Sequence, residues 1–403
     1  MTLVVTFGAA LLVSVLVSAL SARSPLSTSL VFLVVGLVAG PLGFGFDRLE
    51  PSTVREIASV TLFAVLFADG QRAPLTTLRR QWREPTRALL IGMPLTFGVI
   101  TVLAHLLVGL DWSTAMLVGA VLAPTDPVFA SALVGREDVP ARLRGLLNIE
   151  SGLNDGLALP VVLVLIGTLG GRPSGESTEL PVLLGEIGLG LVLGIGLPLV
   201  VAGLLRLPVF GVTPQLVPLG PLAVAVLLFV ACEASHANPY IAAFAAGITV
   251  ASLSPTASER FAEFGELLSE LAKNFALLAF GTLVSSELLG AVGVGGWVLA
   301  ALALLIGRPL PIWGALVGST LARDQRLAAA WFGPKGFASV VYALYVLDSD
   351  IPEAEQVFAL VVATIGLSIA LHSTTDVPVA RALQPHDGTD DTDDTDRRPG
   401  FTA

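Results

Sequence analysis

Three polar side chains capable of holding an ion sit where a soluble protein would have none. Glu150, Asn154 and Asp155 lie in Asn148-Ile149-Glu150-Ser151-Gly152-Leu153-Asn154-Asp155-Gly156, inside an otherwise apolar run from about Leu143 to Leu169. Ionisable groups at membrane depth are expensive, so by default they mark an ion or proton pathway. On a helix, Glu150 and Asn154 are one turn apart, as are Ser151 and Asp155, so two neighbouring faces are polar and can turn into the protein. At ~1.5 Å of rise per residue, Asp155 stands about 20 Å beyond Arg142, near the middle of a bilayer.

Two further stretches supply matching chemistry. Thr125 and Asp126 lie between Pro124 and Pro127, and Lys335 lies in Gly333-Pro334-Lys335-Gly336. Carboxylate, hydroxyl and freed main-chain carbonyl oxygens suit hard cations, and Asp155, Asp126, Ser151 and Thr125 offer that set without His or Cys. A carboxylate that holds either a proton or a cation is sufficient for exchange of one against the other. Glu150 and Arg308 read as a different device, a buried ion pair, because an unpaired charge at that depth is costly. The arrangement calls for no cofactor beyond the transported ions. The single cysteine, Cys232, excludes an internal disulfide and a cysteine-based metal site. Nothing in the chain points to nucleic acid.

The elements that must carry these residues are membrane spans. The 403 residues are 54% hydrophobic and 13% charged, with a mean hydropathy of +0.82, whereas soluble domains are about 25% charged. Spans of ~20 apolar residues fall near 3–20, 26–44, 54–70, 86–110, 113–134, 142–169, 180–205, 216–234, 238–253, 262–285, 291–320, 325–347 and 355–375. The first lacks a basic leader and is read as a span. The start of the tenth, Phe261–Lys273, is amphipathic and suits the membrane interface. Residues 1–375 thus form one transmembrane domain. Residues 376–403, with the acidic run from Asp387 to Asp396, form a tail expected to be disordered.

Thirteen spans put the termini on opposite sides. Arg23, the Arg72–Arg87 cluster, Arg136, Arg142, Arg144, Arg206, Arg260, Arg323, Arg326, Arg381, Arg397 and Arg398 then share one side, and only Arg48, Arg55 and Arg172 face the other. The positive-inside rule places the N-terminus outside and the tail in the cytoplasm. Spans one to six and eight to thirteen form two six-helix groups, the second inverted relative to the first. Overall identity between them is too weak to show a repeat, but the breaks correspond: Pro124–Pro127 in span five, Gly333–Gly336 in span twelve. Inverted repeats with broken helices meeting near the midplane characterise secondary transporters. The fold expected is therefore an all-α polytopic membrane protein of about thirteen helices, built as two inverted six-helix repeats.

Pro124-Thr125-Asp126-Pro127, Glu150-Ser151-Gly152-Leu153-Asn154-Asp155-Gly156 and Gly333-Pro334-Lys335-Gly336, in this order and spacing, resemble the cation/proton antiporter-1 family, the NhaP-type and NHE-type sodium/proton exchangers. The resemblance covers essentially the whole hydrophobic chain. It implies that Asp155 is the carboxylate carrying cation and proton, with Asn154 as its stabilising neighbour. Thr125, Asp126 and Ser151 take the other coordinating positions, and Glu150 with Arg308 forms the structural ion pair. The Asn-Asp order is similar to that of the family's electroneutral one-for-one exchangers. It also implies a homodimer. The chain departs from the family in carrying Lys335 where Arg is usual, and Asp69 where NhaP-type proteins often have Glu.

The function expected is secondary active exchange of Na⁺ (or Li⁺) for H⁺ across the plasma membrane by alternating access. Core helices near 86–169 and 291–375 would move against a scaffold. A K⁺/H⁺ exchanger of the same fold is the nearest alternative. An ion channel would need a continuous pore, and an intramembrane hydrolase a paired nucleophile and base that the sequence does not place. Asp69 and Lys335 are accessory candidates, Asp69 at the inner mouth and Lys335 either closing the site or neutralising the ends of broken helices.

Overall fold

The computed structural model describes residues 2–21, 28–40, 49–126, 139–171, 179–207, 213 and 215–382. Pro127, Arg23, Arg48, Arg136, Arg172 and the acidic tail with Arg397 and Arg398 lie outside these residues.

Among the described residues the chain is helical without strands, and helix falls within each of the thirteen expected spans. They are α1 (Thr2–Ser21), α2 (Thr28–Ala39), α3 (Pro51–Gln71), α4 (Arg83–Val108), α5 (Trp112–Leu122), α6 (Ala141–Thr168) and α7 (Leu180–Leu205). There follow α8 (Leu219–Ser235), α9 (Pro239–Leu253), α10 (Pro255–Gly281), α11 (Gly293–Ala315), α12a (Arg323–Trp331), α12b (Phe337–Leu347) and α13 (Ala354–Ala382). Among these, α3, α4, α6, α7, α11 and α13 are long and apolar enough to cross a membrane unaided. α5 and the α12 pair are shorter because the chain unwinds at Pro124 and at Gly333-Pro334. Proline cannot donate to the i−4 carbonyl, and its ring clashes there.

Helix α10 is one continuous element from Pro255 to Gly281. Its first half keeps the amphipathic character read from Phe261–Lys273, but Lys273 and Asn274 are both buried, at 3% exposure. The helix packs along α2 and α3.

The repeat is more legible than overall identity between the halves allows. Ala88–Leu95 reads ALLIGMPL and Ala303–Leu310 reads ALLIGRPL, differing only at Met93 and Arg308. In both copies the ALLIG segment forms a π-helical turn within the span. Such single-turn expansions mark functional positions in helices. The copies cross reciprocally: Gly92 abuts the Ile312 side chain, and Gly307 abuts that of Ile100. This equates α4 with α11, and hence α5 with α12 and α6 with α13, as the two-group arrangement requires.

Polar contacts at the ends of the bundle sort the arginines as the topology does. Arg72 meets Glu266 at 3.1 Å, Arg87 donates to the Val317 carbonyl, and Arg142 donates to Thr320. At the other end Arg55 pairs with Asp348 at 3.3 Å. The centre of the molecule is helix α6, buried over most of its length from Leu143 to Ile166.

Candidate ion-binding site

The two broken spans meet main chain to main chain. The N–H of Asp126 donates to the carbonyl of Pro334 at 3.0 Å, so the unwound residues of α5 lie directly on those of α12. Helix α6 docks against this crossing through its polar face. Ser151 Oγ donates to the Thr125 carbonyl, and Asn154 Nδ2 donates to Thr125 Oγ1 at 3.0 Å. Thr125 and Asp126 are 3% and 2% exposed, and Ser151, Asn154 and Asp155 are equally buried. Sequence positions 125, 126, 151, 154 and 155 are thereby brought together.

A broken helix exposes main-chain groups at both new ends, and at the end of α12a each of the last four carbonyls has a partner. Of the last carbonyls of α12a, Ala328 accepts from Phe332 N. Ala329 and Ala330 accept from Arg308 Nη1 at 2.9 and 3.1 Å. Trp331 accepts from Gly333 N and faces His372 Nε2 at 3.2 Å. At the start of α12b, Phe337 N donates to Asp126 Oδ2 at 3.0 Å. A guanidinium thus sits at the negative end of one half-helix and a carboxylate at the positive end of the other. Each pairing is favourable by ~0.3–1 kcal/mol at a surface and up to ~2 kcal/mol when partly buried.

Arg308 has a second task. Its Nη2 donates to both Glu150 oxygens, at 3.0 and 2.9 Å, with both side chains nearly inaccessible. The ion pair read from sequence is present. The neutralisation of α12a, for which Lys335 was one candidate, is done by Arg308. Lys335 is wholly buried, and its Nζ has no hydrogen-bond partner among the described residues, while its main-chain N–H donates to Ser368 Oγ at 2.7 Å. Arg308 and Glu150 are the charged groups that act on it.

The two glycines of Gly333-Pro334-Lys335-Gly336 are required by close approach. A Cβ on Gly333 would overlap the Arg308 guanidinium carbon, and one on Gly336 would overlap Asp126 Cβ. Thr125, Asp126, Leu147, Glu150, Ser151, Phe332, Gly333 and Pro334 surround a cavity of ≈ 10 Å³, about the lower limit for one water-sized guest.

Asp155, like Lys335, has a buried polar atom without a hydrogen-bond partner among the described residues. It is 3% exposed, and its Oδ1 makes no hydrogen bond among the described residues. Buried polar atoms are rarely left so. The Asn154 amide engages Thr125 rather than Asp155. The main chain of Asp155 is nonetheless held, because Tyr342 of α12b donates its hydroxyl to the Asp155 carbonyl. One turn on, Pro160 lacks the N–H that Gly156 O would accept, and Asn238 Nδ2 lies 3.5 Å from that oxygen. Asp126, Asp69 and Glu150 are the carboxylates acting on Asp155, Asp126 the most strongly.

Asp69 is buried, at 5% exposure, rather than solvated at a mouth. Arg72 meets its Oδ1 at 3.4 Å and reaches Glu266 of α10 with its other nitrogen. Its carbonyl accepts from Asn148 of α6 at 3.1 Å. Asp69 is therefore tied to the site helix through main chain.

Sequence reasoning passed over Tyr342, Asn238, Lys273 and Ser368, and reads His372 only as an interfacial or satisfied polar residue. Asn238-Pro239 carries a readable signal, a helix cap followed by proline at the first helical position, and Asn238 does cap α9 through Tyr240 N and Ile241 N. Ser368, His372 and Thr375 form a polar stripe at helical spacing. Tyr342 gives no local signal, because its partner is distant in sequence.

A family model described as sodium/hydrogen exchanger, transmembrane, matches residues 9–382. The chain belongs to that family. Among relatives of this exchanger-family chain, the K(+)/H(+) antiporter NhaP2 of Shewanella sp. (strain MR-4) is 25% identical over 377 residues, covering 92% of this chain and 65% of that protein. The K(+)/H(+) antiporter NhaP of Alkalimonas amylolytica is 25% identical over 389 residues, 94% of this chain and 67% of the relative. The chain thus spans about two thirds of the length of these relatives. The solved structure of the sodium proton antiporter MjNhaP1 from Methanocaldococcus jannaschii at pH 8 superposes with a TM-score of 0.77. Sequence identity there is 20%, over 96% of this chain and 99% of that one, which establishes the shared fold.

Proposed function

We propose that this protein is a secondary active transporter, not an enzyme, exchanging a monovalent cation for a proton, with the two competing for Asp155. The observation that carries the reading is the Asp155 carboxylate, buried with Oδ1 unpartnered among the described residues, on the helix that docks against two crossed helix breaks. The neighbouring oxygens of Thr125, Asp126 and Ser151 provide the hard donor set a small cation needs. Glu150 meets Arg308 and Asp69 meets Arg72, and a cation or proton at Asp155 would relieve its repulsion with Asp126.

The cation in this reading is Na⁺ (or Li⁺), exchanged one for one. Such exchange moves no net charge, so the membrane potential, worth ~2.3 kcal/mol per charge per 100 mV, does no work on it. K⁺ is the second reading, favoured by the names of the Shewanella and Alkalimonas relatives. Helices α4–α6 and α11–α13 form the moving core and the remaining helices the scaffold. The protein resides in the plasma membrane with its N-terminus outside and tail inside, supported by the sorting of arginines between the ends. It works as a homodimer through scaffold helices. Helix α7, the least buried of the long spans, supports that assignment with its exposed face of Leu184, Leu191, Val192, Leu199 and Val200.

Everted vesicles loaded with a pH-sensitive dye test the proposal. Addition of Na⁺ or Li⁺ should release protons from the acidified lumen, and Asp155→Asn should abolish the response. Absence of any cation-triggered proton movement in wild type, or full activity of Asp155→Asn, removes it. A response to K⁺ alone selects the second reading.

A further inference from the structure

Helix α13 turns Ser368, His372 and Thr375 toward the α12 break, and their contacts form a chain across it. Lys335 N–H donates to Ser368 Oγ at 2.7 Å. Ser368 Oγ lies 3.2 Å from His372 Nδ1, and His372 Nε2 lies 3.2 Å from the carbonyl of Trp331. Trp331 Nε1 in turn donates to Thr375 Oγ1 at 3.1 Å. Ser368 and His372 are 0% and 2% exposed, and the imidazole rests against the rings of Trp331 and Phe332.

The donors and acceptors fix the role of one ring nitrogen. The Trp331 carbonyl only accepts, so Nε2 must carry hydrogen. Ser368 Oγ already accepts from Lys335, which leaves its own hydrogen to donate to Nδ1 if that nitrogen is bare. Nε2–H therefore holds the Trp331 carbonyl, while Nδ1 lies between Ser368 Oγ and the Ser368 carbonyl, at 3.2 and 2.9 Å. The charged groups acting on the ring are Arg308 and Lys335, with Glu150 held on Arg308.

We propose that His372 is a positioning residue. With Ser368, it clamps both ends of the unwound segment 332–336 to α13 and so fixes the main chain of Lys335 beside the Arg308–Glu150 pair. Its consequence for transport rests on the function proposed above, but the clamp itself does not.

The experiment compares wild type, His372→Gln, His372→Leu, Ser368→Ala and the Leu/Ala double variant, all in full-length protein. Gln keeps one donor and one acceptor, whereas Leu has neither. Hydrogen exchange of the peptide containing residues 332–336, read by mass spectrometry, requires no transport. Protection, which reports the local opening equilibrium, should fall by roughly tenfold or more in His372→Leu and in Ser368→Ala. It should fall no further in the double variant and be retained in His372→Gln. In vesicles the same variants should lower the maximal rate with little change in the cation KM. Unchanged protection in His372→Leu, additive losses in the double variant, or His372→Gln as impaired as Leu overturns the clamp. If His372→Leu does not fold, His372→Gln and Ser368→Ala decide by the same exchange measurement. If wild type moves no protons with any cation while the exchange pattern holds, the transport reading fails and the clamp stands.

Discussion

Arg308 joins Glu150 of α6 to the last turn of α12a, one guanidinium nitrogen touching both carboxylate oxygens and the other touching the Ala329 and Ala330 carbonyls. The pair is thus a three-way junction between α6, α11 and α12a. Lysine retains the charge but lacks the planar fork needed to serve both groups. Arg308→Lys should therefore lose much of the ~3–5 kcal/mol expected for breaking a buried pair, as should Glu150→Ala. Thermal unfolding in detergent measures it, and a variant within about 1 kcal/mol of wild type, the scale of a surface pair, would contradict the junction.

Gly336 faces Asp126 with no room for a methyl group. Gly336→Ala should separate the crossing and destabilise the protein by at least the ~1–3 kcal/mol typical of overpacking, with loss of transport. Gly98→Ala on α4 is the control, since nothing lies within 4 Å of its added Cβ, and it should stay within about 1 kcal/mol of wild type. The comparison needs only melting temperatures and vesicle activity.

Asp126 caps α12b and is also one of the oxygens proposed to hold the cation, and an amide in its place separates the two roles. The Asp126→Asn side chain would retain an oxygen for Phe337 N but carry no charge. That variant should melt within a few degrees of wild type while its cation KM rises about tenfold, equivalent to ~1.4 kcal/mol of binding. An unchanged KM would leave Asp126 with the cap alone.

Asp111, in the turn between α4 and α5, caps α5 through Ser113 N and Thr114 N and accepts from the Thr114 hydroxyl at 2.7 Å. The Thr114 hydroxyl, and then the main-chain donors, hold its carboxyl below the usual value of 3.8. A carboxyl lowered by folding stabilises above its unfolded value, and that contribution is lost as pH falls through the lowered one. Asp111→Ala should cost ~1 kcal/mol at neutral pH, and the gap should narrow once pH drops below about 3.8. Melting curves of both proteins across that range show whether it does.

Much of this molecule was readable because membrane burial leaves few alternatives. Thirteen apolar runs, two proline-marked breaks and a carboxylate cluster at one depth fix helix placement, the crossing and the candidate residues. What escaped was long-range satisfaction of main chain. Arg308 as a cap for α12a, Tyr342 on the Asp155 carbonyl and Asn238 near Gly156 O join residues far apart in sequence, with no local pattern to announce them. Lys273 escaped for another reason. It lies on an amphipathic helix, where a charge reads as solvated until the packing against α3 is seen.

The near-identity of Ala88–Leu95 and Ala303–Leu310 has a consequence for how the two access states compare. In a molecule built from inverted copies, exchanging the conformations of the halves turns an inward opening into an outward one. That exchange would put Met93 in the place of Arg308, and a thioether can neither hold Glu150 nor cap a helix. Under the exchange proposed above, the duplication would supply the two-fold geometry of alternating access, and Met93 standing where the other copy has Arg308 would make the two states unequal in energy.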